Sequence, residues 1–350
     1  MRFFKRDQQQ REAGGDFWSW WPGARDRIAG AISGGGFDDR LIGEINRAVQ
    51  GIHPSMAWEL APGRTAQHAF CISPEGNPEL RQVALRWLAL APAPDATWEY
   101  HAAKQAASAL MGLEVAGRRF DLEAMRATSS WDPARQRVDV RLWHPGFEGL
   151  PEQIRLQVGF LFLDQLLGEE DVERWIGSID LLDAPTGGRT PTELKAEVER
   201  RRVEAATATD GDGTWVLGER TGPDGQPEIV MADAALKRID HPFANHHVSI
   251  AVHFGVERFP TDTEAALLNA EEDDLVTRLG DTAIFAARTT SPGVRTLHFV
   301  APEPDAMRAS IDPWAEAMPD SLSEGLPQRR IKIGFELDMA WDFQRELGVQ

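Results

Sequence analysis

Histidines and carboxylates pose the chemical questions in this 350-residue chain. His241, His246, His247 and His253 lie close together in sequence, and His298 falls on a neighbouring predicted strand. If Val248, Ile250, Val252 and Phe254 turn inward, then His247, Ser249 and His253 turn outward, because successive strand residues alternate between faces. His298, Arg330, Lys332 and Glu336 share that outward face. Zinc needs about three or four ligands converging on one point, which spacing alone does not supply. A sheet face turned to solvent or to a partner is the expectation, with no metal and no cofactor.

A second group surrounds an apolar helix. Asp164 interrupts it between Phe160–Leu163 and Leu166–Leu167, and Glu169, Glu170 and Asp171 follow its end. Carboxylates at a helix C-terminus oppose the macrodipole, so they either point into water or meet a cation or basic partner. A buried Asp164 needs a partner, and Arg155 and Arg174 are within sequence reach. A structural ion pair is expected there ahead of a general base. The run Glu271–Asp274 reads as an exposed face able to dock a basic surface. Trp143 is out of phase with Val138, Val140 and Leu142, which suggests a surface anchor. Trp58, Trp98, Trp215 and Trp314 take inward positions. Ser33–Gly36 lacks the strand before it and the Lys-Ser/Thr ending of a phosphate-binding loop, and no GxSxG, HExxH or GxGxxG occurs.

The elements that must position these groups follow from periodicity. Residues 1–15 read as a disordered tail. A helical pair opens the first domain, its second helix carrying Leu41, Ile45, Val49 and Ile52 behind an Asp38 cap. Strands are predicted around Trp58, Phe70, Tyr100 and Val140, with helices over 78–90 and 150–167 and a last strand over 175–182. This domain spans 16–183. The segment 184–211 reads as a charged linker holding a short solvated helix, with Thr190 as cap, Pro191 first, Glu193 completing the cap, and Glu197 one turn before Arg201. TATDGDG ends it in flexible sequence.

The second domain, 212–350, opens with a hairpin turning at Asp224–Gly225. Then come a strand over 248–254, a helix from Thr261 with Glu264 completing a capping box and Gly280 ending it, and two strands joined by SPG. A helix carrying Met307, Ile311, Trp314 and Met318 follows, kinked or restarted at Pro313 with Asp312 as cap. The last strand alternates Ile331, Ile333, Phe335 and Leu337. The order β-α-β-β-α-β is the ferredoxin-like arrangement.

The hairpin opening at Trp215, the segment SPGVRTLHFVAPEP and the ending FELDMAWDF resemble bacterial domain-of-unknown-function family 695 over roughly 212–350. Some members are fused to domains like a small acidic inhibitor of ribonuclease E, which implies regulatory work. FWSWW, FCISPEG and FLDQLLGEEDVERWIG are similar to another uncharacterised bacterial family. Neither resemblance carries a catalytic residue.

Charge and composition bound the rest. With 55 acidic against 37 basic side chains, the formal charge is −18, which repels nucleic acid and anionic lipid and attracts basic partners. The single cysteine, Cys71, excludes an intrachain disulfide. No apolar run approaches membrane length and no secretory signal opens the chain, so the cytoplasm is the expected compartment. The fold class is α+β in two domains. The expected function is non-enzymatic: a regulatory or inhibitory protein that binds another protein, through Asp164, Glu169, Glu170, Asp171, Trp143, His247, His253, His298 and Lys332. The alternative is a hydrolase or small-ligand enzyme pairing Asp164 with His144, or His253 with His298.

Overall fold

The computed structural model describes residues 2–185, 187–207, 214–322 and 327–348, with the backbone alone over 2–13. Helices and strands are both abundant, as an α+β chain requires. Two compact units result: Met1–Trp131 with Arg137–Thr207, and Asp132–Gln136 with Ala208–Gln350. The TATDGDG stretch lies mostly outside the described residues.

The first unit contains two similar halves. Helices α1 (Arg2–Ser33) and α2 (Asp39–Ile52) precede strands β1 (Ala57–Pro62) and β2 (His68–Ser73), helix α3 (Pro78–Ala89) and strand β3 (Trp98–His101). The sheet order is β1-β2-β3, with β1 antiparallel and β3 parallel to β2. After a small hairpin of β4 (Leu113–Val115) and β5 (Arg118–Phe120), the second half repeats the scheme. It runs β6 (Arg126–Asp132), β7 (Arg137–Trp143), α4 (Glu152–Leu167), α5 (Glu169–Trp175) and β8 (Ile176–Leu181), in the order β6-β7-β8 with β8 parallel to β7. Each half is thus two strands, a helical crossover and a parallel third strand.

Each half has its own core. In the first, Phe17, Trp21, Phe70, Trp87 and Trp98 are almost fully buried. Trp21 donates from its indole nitrogen to Tyr100 Oη at 2.8 Å, so this large apolar side chain also satisfies its polar end. In the second, Phe120, Val140, Leu142, Phe162 and Leu163 pack together.

Two segments differ from their sequence reading. The tail expected over 1–15 lies within α1, whose backbone is helical from Arg2; the segment has few apolar residues beyond Phe3 and Phe4, yet its glutamines and arginines have good helix propensity. The linker helix is α6 (Pro191–Thr207), and it is not solvated on all sides. Leu194 and Val198, one turn apart, are buried in the second half's core, so a stripe hidden among charges docks the helix. Its cap is as read from sequence, with Thr190 N donating to Glu193 Oε2 at 2.8 Å.

The second unit is one six-stranded sheet. Its elements are β9 (Trp215–Thr221), β10 (Pro227–Asp233), β11 (His246–His253), α7 (Asp262–Leu279), β12 (Ile284–Ser291), β13 (Val294–Ala301), α8 (Pro304–Ala317), β14 (Arg330–Leu337) and α9 (Asp342–Glu346). The strand order is β14-β11-β13-β12-β10-β9. Thr261 and Glu264 form the expected capping box, which satisfies donors at the start of α7 that the helix itself leaves unpaired. Helix α8 continues through Pro313 without restarting at Asp312. Helices α7 and α8 cover one sheet face: Leu268, Leu275, Met307, Ile311 and Trp314 meet Val248, Ile250, Val252 and Phe299.

Candidate functional site

The carboxylate group singled out in sequence lies where the two halves of the first unit meet. The loop after β3 runs back along the end of α4, with Ala107 N donating to Gln165 O at 2.8 Å and Glu169 N to Lys104 O at 3.0 Å. Gly168 makes this approach possible. Its φ of +87° is a left-handed conformation, and a Cβ there would lie 2.8 Å from Ala106 N.

This turn changes the electrostatic reading of Glu169, Glu170 and Asp171. They begin α5 rather than trail from α4, and acidic residues in a first helical turn favour the macrodipole instead of opposing it. Glu169 points inward and is 5% exposed. Its Oε2 accepts from Ser73 Oγ at 2.8 Å and Lys104 N at 3.2 Å, and its Oε1 from Gly76 N at 3.1 Å. Arg81 of α3, 1% exposed, lies 3.6 Å from Glu169 and donates to Glu173 Oε2 at 2.6 Å. It also reaches Glu170 at 3.9 Å, and Arg202 lies 3.5 Å from Asp171. Part of the positive charge that these carboxylates meet is therefore the chain's own.

Asp164 is half-buried near the end of α4. Burial, then the nearby Glu169 carboxylate, pushes its carboxyl up to about 6, while Lys104 acts in the opposite direction. Lys104 lies 3.3 Å from Glu75. The partners considered for Asp164 have other engagements. Arg155 lies 3.7 Å from Asp183. His144 is buried, its Nδ1 accepting from Gly146 N at 2.9 Å and its Nε2 lying 2.8 Å from Asp121 O. Trp143 is half-buried at the end of β7. Arg174 joins Arg64, Lys104, Gly168, Glu170, Asp171 and Arg202 in lining a cleft of about 240 Å³.

Behind this corner, register aligns Glu59, Cys71 and His101 across the back of the first sheet. Burial, then Glu59 and Glu99, pushes the Cys71 thiol up to about 12, so it stays protonated and a poor nucleophile near neutral pH. Burial would raise the Glu99 carboxyl, but donation from Arg64 N, Thr65 N, Thr65 Oγ1 and Ala66 N holds it well below the usual range. That carboxylate fixes the loop between β1 and β2.

In the second unit the alternation of β11 is as expected, yet its outward face is only partly open. His247, Ser249 and His253 do share a face with His298 and Lys332, as the pairing of β11 with β13 and β14 shows. Lys332 is exposed, and His253 lies opposite Arg330 at one end. At the other end the C-terminal segment folds over the sheet, burying Trp341, Phe343 and Leu347 against Val230, Ala232, Ala287 and Val300. The Phe343 ring stacks on His247 at 4.4 Å. His298 is not paired with His253: its Nδ1 lies 3.0 Å from His247 Nε2. Burial, then His247, then Arg220 pushes the His298 imidazole down to about 3. Burial likewise lowers His247, against the pull of Asp338. Among the described residues no group of three or more histidine, cysteine or acidic side chains is placed to hold a metal ion.

The run Glu271–Asp274 divides. Glu272 is 5% exposed and lies 3.1 Å from Arg288 of β12 and 3.8 Å from Arg295 of β13. Glu271 takes a two-pronged contact from buried Arg329, at 2.7 and 2.6 Å. Asp273 and Asp274 face solvent. Helical periodicity accounts for this division, since a run of four acids cannot all lie on one face.

Sequence reasoning missed Arg81, Ser73 and Lys104 as partners of the carboxylates, and Phe343 as the cover of His247. Arg81 left one usable signal, falling between Leu80 and Val83 on the apolar side of its helix. Residues 220–347 match the profile of a family of unknown function, DUF695. No curated protein and no solved structure matches the chain.

Proposed function

We propose that the protein acts by binding another protein, as a cytoplasmic regulator or inhibitor, and that the partner is basic. The carrying observation is the exposed charge on the second unit's two helices and the segments that flank them. Asp262, Asp273, Asp274, Asp281, Glu303, Asp305, Asp312, Glu316 and Asp320 are exposed there, against Arg278 and Arg308 alone among the exposed cations of 261–320. Of these two, Arg278 is matched to Asp274 and Arg308 lies 3.8 Å from Asp305. So dense a surface of one sign steers an oppositely charged partner and speeds its association. The strand order β14-β11-β13-β12 with helices on one face supports reading this unit as a ferredoxin-like domain extended by the β9–β10 hairpin.

Affinity capture from the native host at moderate salt, repeated with Asp273→Lys, Asp274→Lys, Asp312→Lys and Glu316→Lys combined, tests the proposal. A stoichiometric basic partner should be retained by the unsubstituted protein and lost with the charge reversal or at high salt. Repeated capture of no partner, or retention indifferent to the reversal, rejects it.

One observation favours the enzymatic alternative: the raised carboxyl of Asp164, one helical turn before Gly168 of the cleft lining, since a carboxyl titrating near neutrality is suited to acid–base work. A hydrolytic activity abolished by Asp164→Asn in a protein that stays folded would establish that reading.

A further inference from the structure

We infer that the C-terminal segment Asp338–Leu347 is a proton-sensitive strap, docked on the second unit's sheet by the His247–His298 pair and released from it on acidification. The strap is tied down by a few specific contacts. Trp341 is 1% exposed and donates from its indole nitrogen to Ala244 O at 2.7 Å. The Asp338 carboxylate accepts from Asp342 N at 2.8 Å and Phe343 N at 3.0 Å, and Arg220 of β9 donates to Glu346 O. Trp341 itself is held at a left-handed φ of 59°, a conformation costly for a bulky side chain and sustained only while its surroundings enforce it.

Phe343 closes directly on the histidine pair. Its ring lies nearly parallel to His247, at an interplanar angle of 5°, and to His298, at 9°. The two imidazoles are tilted by only 8°, with centroids 5.2 Å apart and nitrogens 3.0 Å apart. The difference between these separations is taken up by the two ring radii, so the nitrogens face each other almost in line. That is the geometry of one N–H donating to one lone pair, and not of two lone pairs turned toward a common metal. Such a bond requires one donor and one acceptor. Doubly protonated, the pair would set two N–H groups and two positive charges against each other beneath an aromatic lid.

The surroundings decide which group responds. Glu336 and Asp338 come from β14 and the turn after it, Arg220 from β9 and Glu228 from β10. The segment itself brings Asp342, Arg345 and Glu346, while β12 places Thr289 Oγ1 3.5 Å from His298 Nε2. His241 stacks on Trp341 at 6.2 Å. Histidine is the side chain whose ordinary range falls between about pH 7.5 and 5.5. Both imidazoles of the pair are held below their ordinary range in the docked state, so docking is complete above about pH 6.5 and weakens as the pH falls. Each proton taken up on release is worth about a tenfold shift per pH unit.

Hydrogen exchange of the full chain, corrected for intrinsic rates, measures this directly. Amide protection over 338–347, relative to α7, should fall at least about tenfold between pH 7.5 and 5.5, and the fall should be clearly smaller in His298→Phe, where His247 alone of the pair is left to titrate. Protection unchanged with pH, or an equal fall in His298→Phe, overturns the inference. If that variant does not fold, ring-proton titration of the unsubstituted protein and of Phe343→Ala replaces it. His247 and His298 should titrate below the ordinary histidine range in the former and return toward it in the latter. Ordinary titration in both also overturns the inference.

Discussion

The two units join their parts through ionisable groups of different kinds. In the first, the two halves meet at Glu169, whose carboxylate is fixed by Ser73, by the backbone N–H of Gly76 and Lys104, and by the fully buried Arg81. In the second, a short C-terminal segment is laid over a sheet by stacked aromatic rings and a pair of neutral histidines. The Glu169 carboxylate is held by several N–H and O–H donors from separate segments together with a guanidinium, so no single contact carries that joint. Two imidazoles sharing one proton have no such margin. The first arrangement suits a permanent joint and the second a releasable one.

The largest effect should come from Arg81→Ala. It leaves Glu169 buried without its cation and should cost about 3–5 kcal/mol, measured by urea unfolding with a probe in the first unit. A loss below about 1 kcal/mol would show that the backbone donors suffice and that the joint is not ionic. Trp341→Ala should cost about 3 kcal/mol near neutral pH through lost packing and an unpaired Ala244 carbonyl. That loss should shrink at about pH 5.5, where the strap is already loosened.

Asp164→Asn runs in the opposite direction. Its carboxyl is raised in the folded protein, so the associated stability is present below about pH 4 and is lost as the pH rises through about 6. The variant should therefore be more stable by about 2 kcal/mol at neutral pH, with the advantage vanishing in acid; thermal unfolding across that range reads it. The smallest effect is expected for Thr261→Ala, which removes one side of the α7 cap and should cost about 1 kcal/mol without any dependence on the histidines.

Local sequence carried a great deal. The capping boxes at Thr190 and Thr261, the Asp38 cap and the Asp224–Gly225 turn were legible because their partners lie a few residues away. The alternation of His247, Ser249 and His253 followed from strand geometry alone. The helical rise through Leu194 and Val198 was equally present, but a stripe of two residues among so many charges did not distinguish a docked helix from a solvated one.

What the tertiary structure decided was pairing at long range. Glu169 meets Ser73 across 96 positions and Arg81 across 88, and His247 meets His298 across 51 and Phe343 across 96. The sequence determined which face each of these side chains would take within its own element, since that depends on helical and strand period. Their partners depend on how separate elements pack, and no local pattern encodes that. For this reason Glu169, read as pointing into water or meeting a cation, found Arg81, and His247, read on a face turned to solvent or a partner, found an aromatic lid.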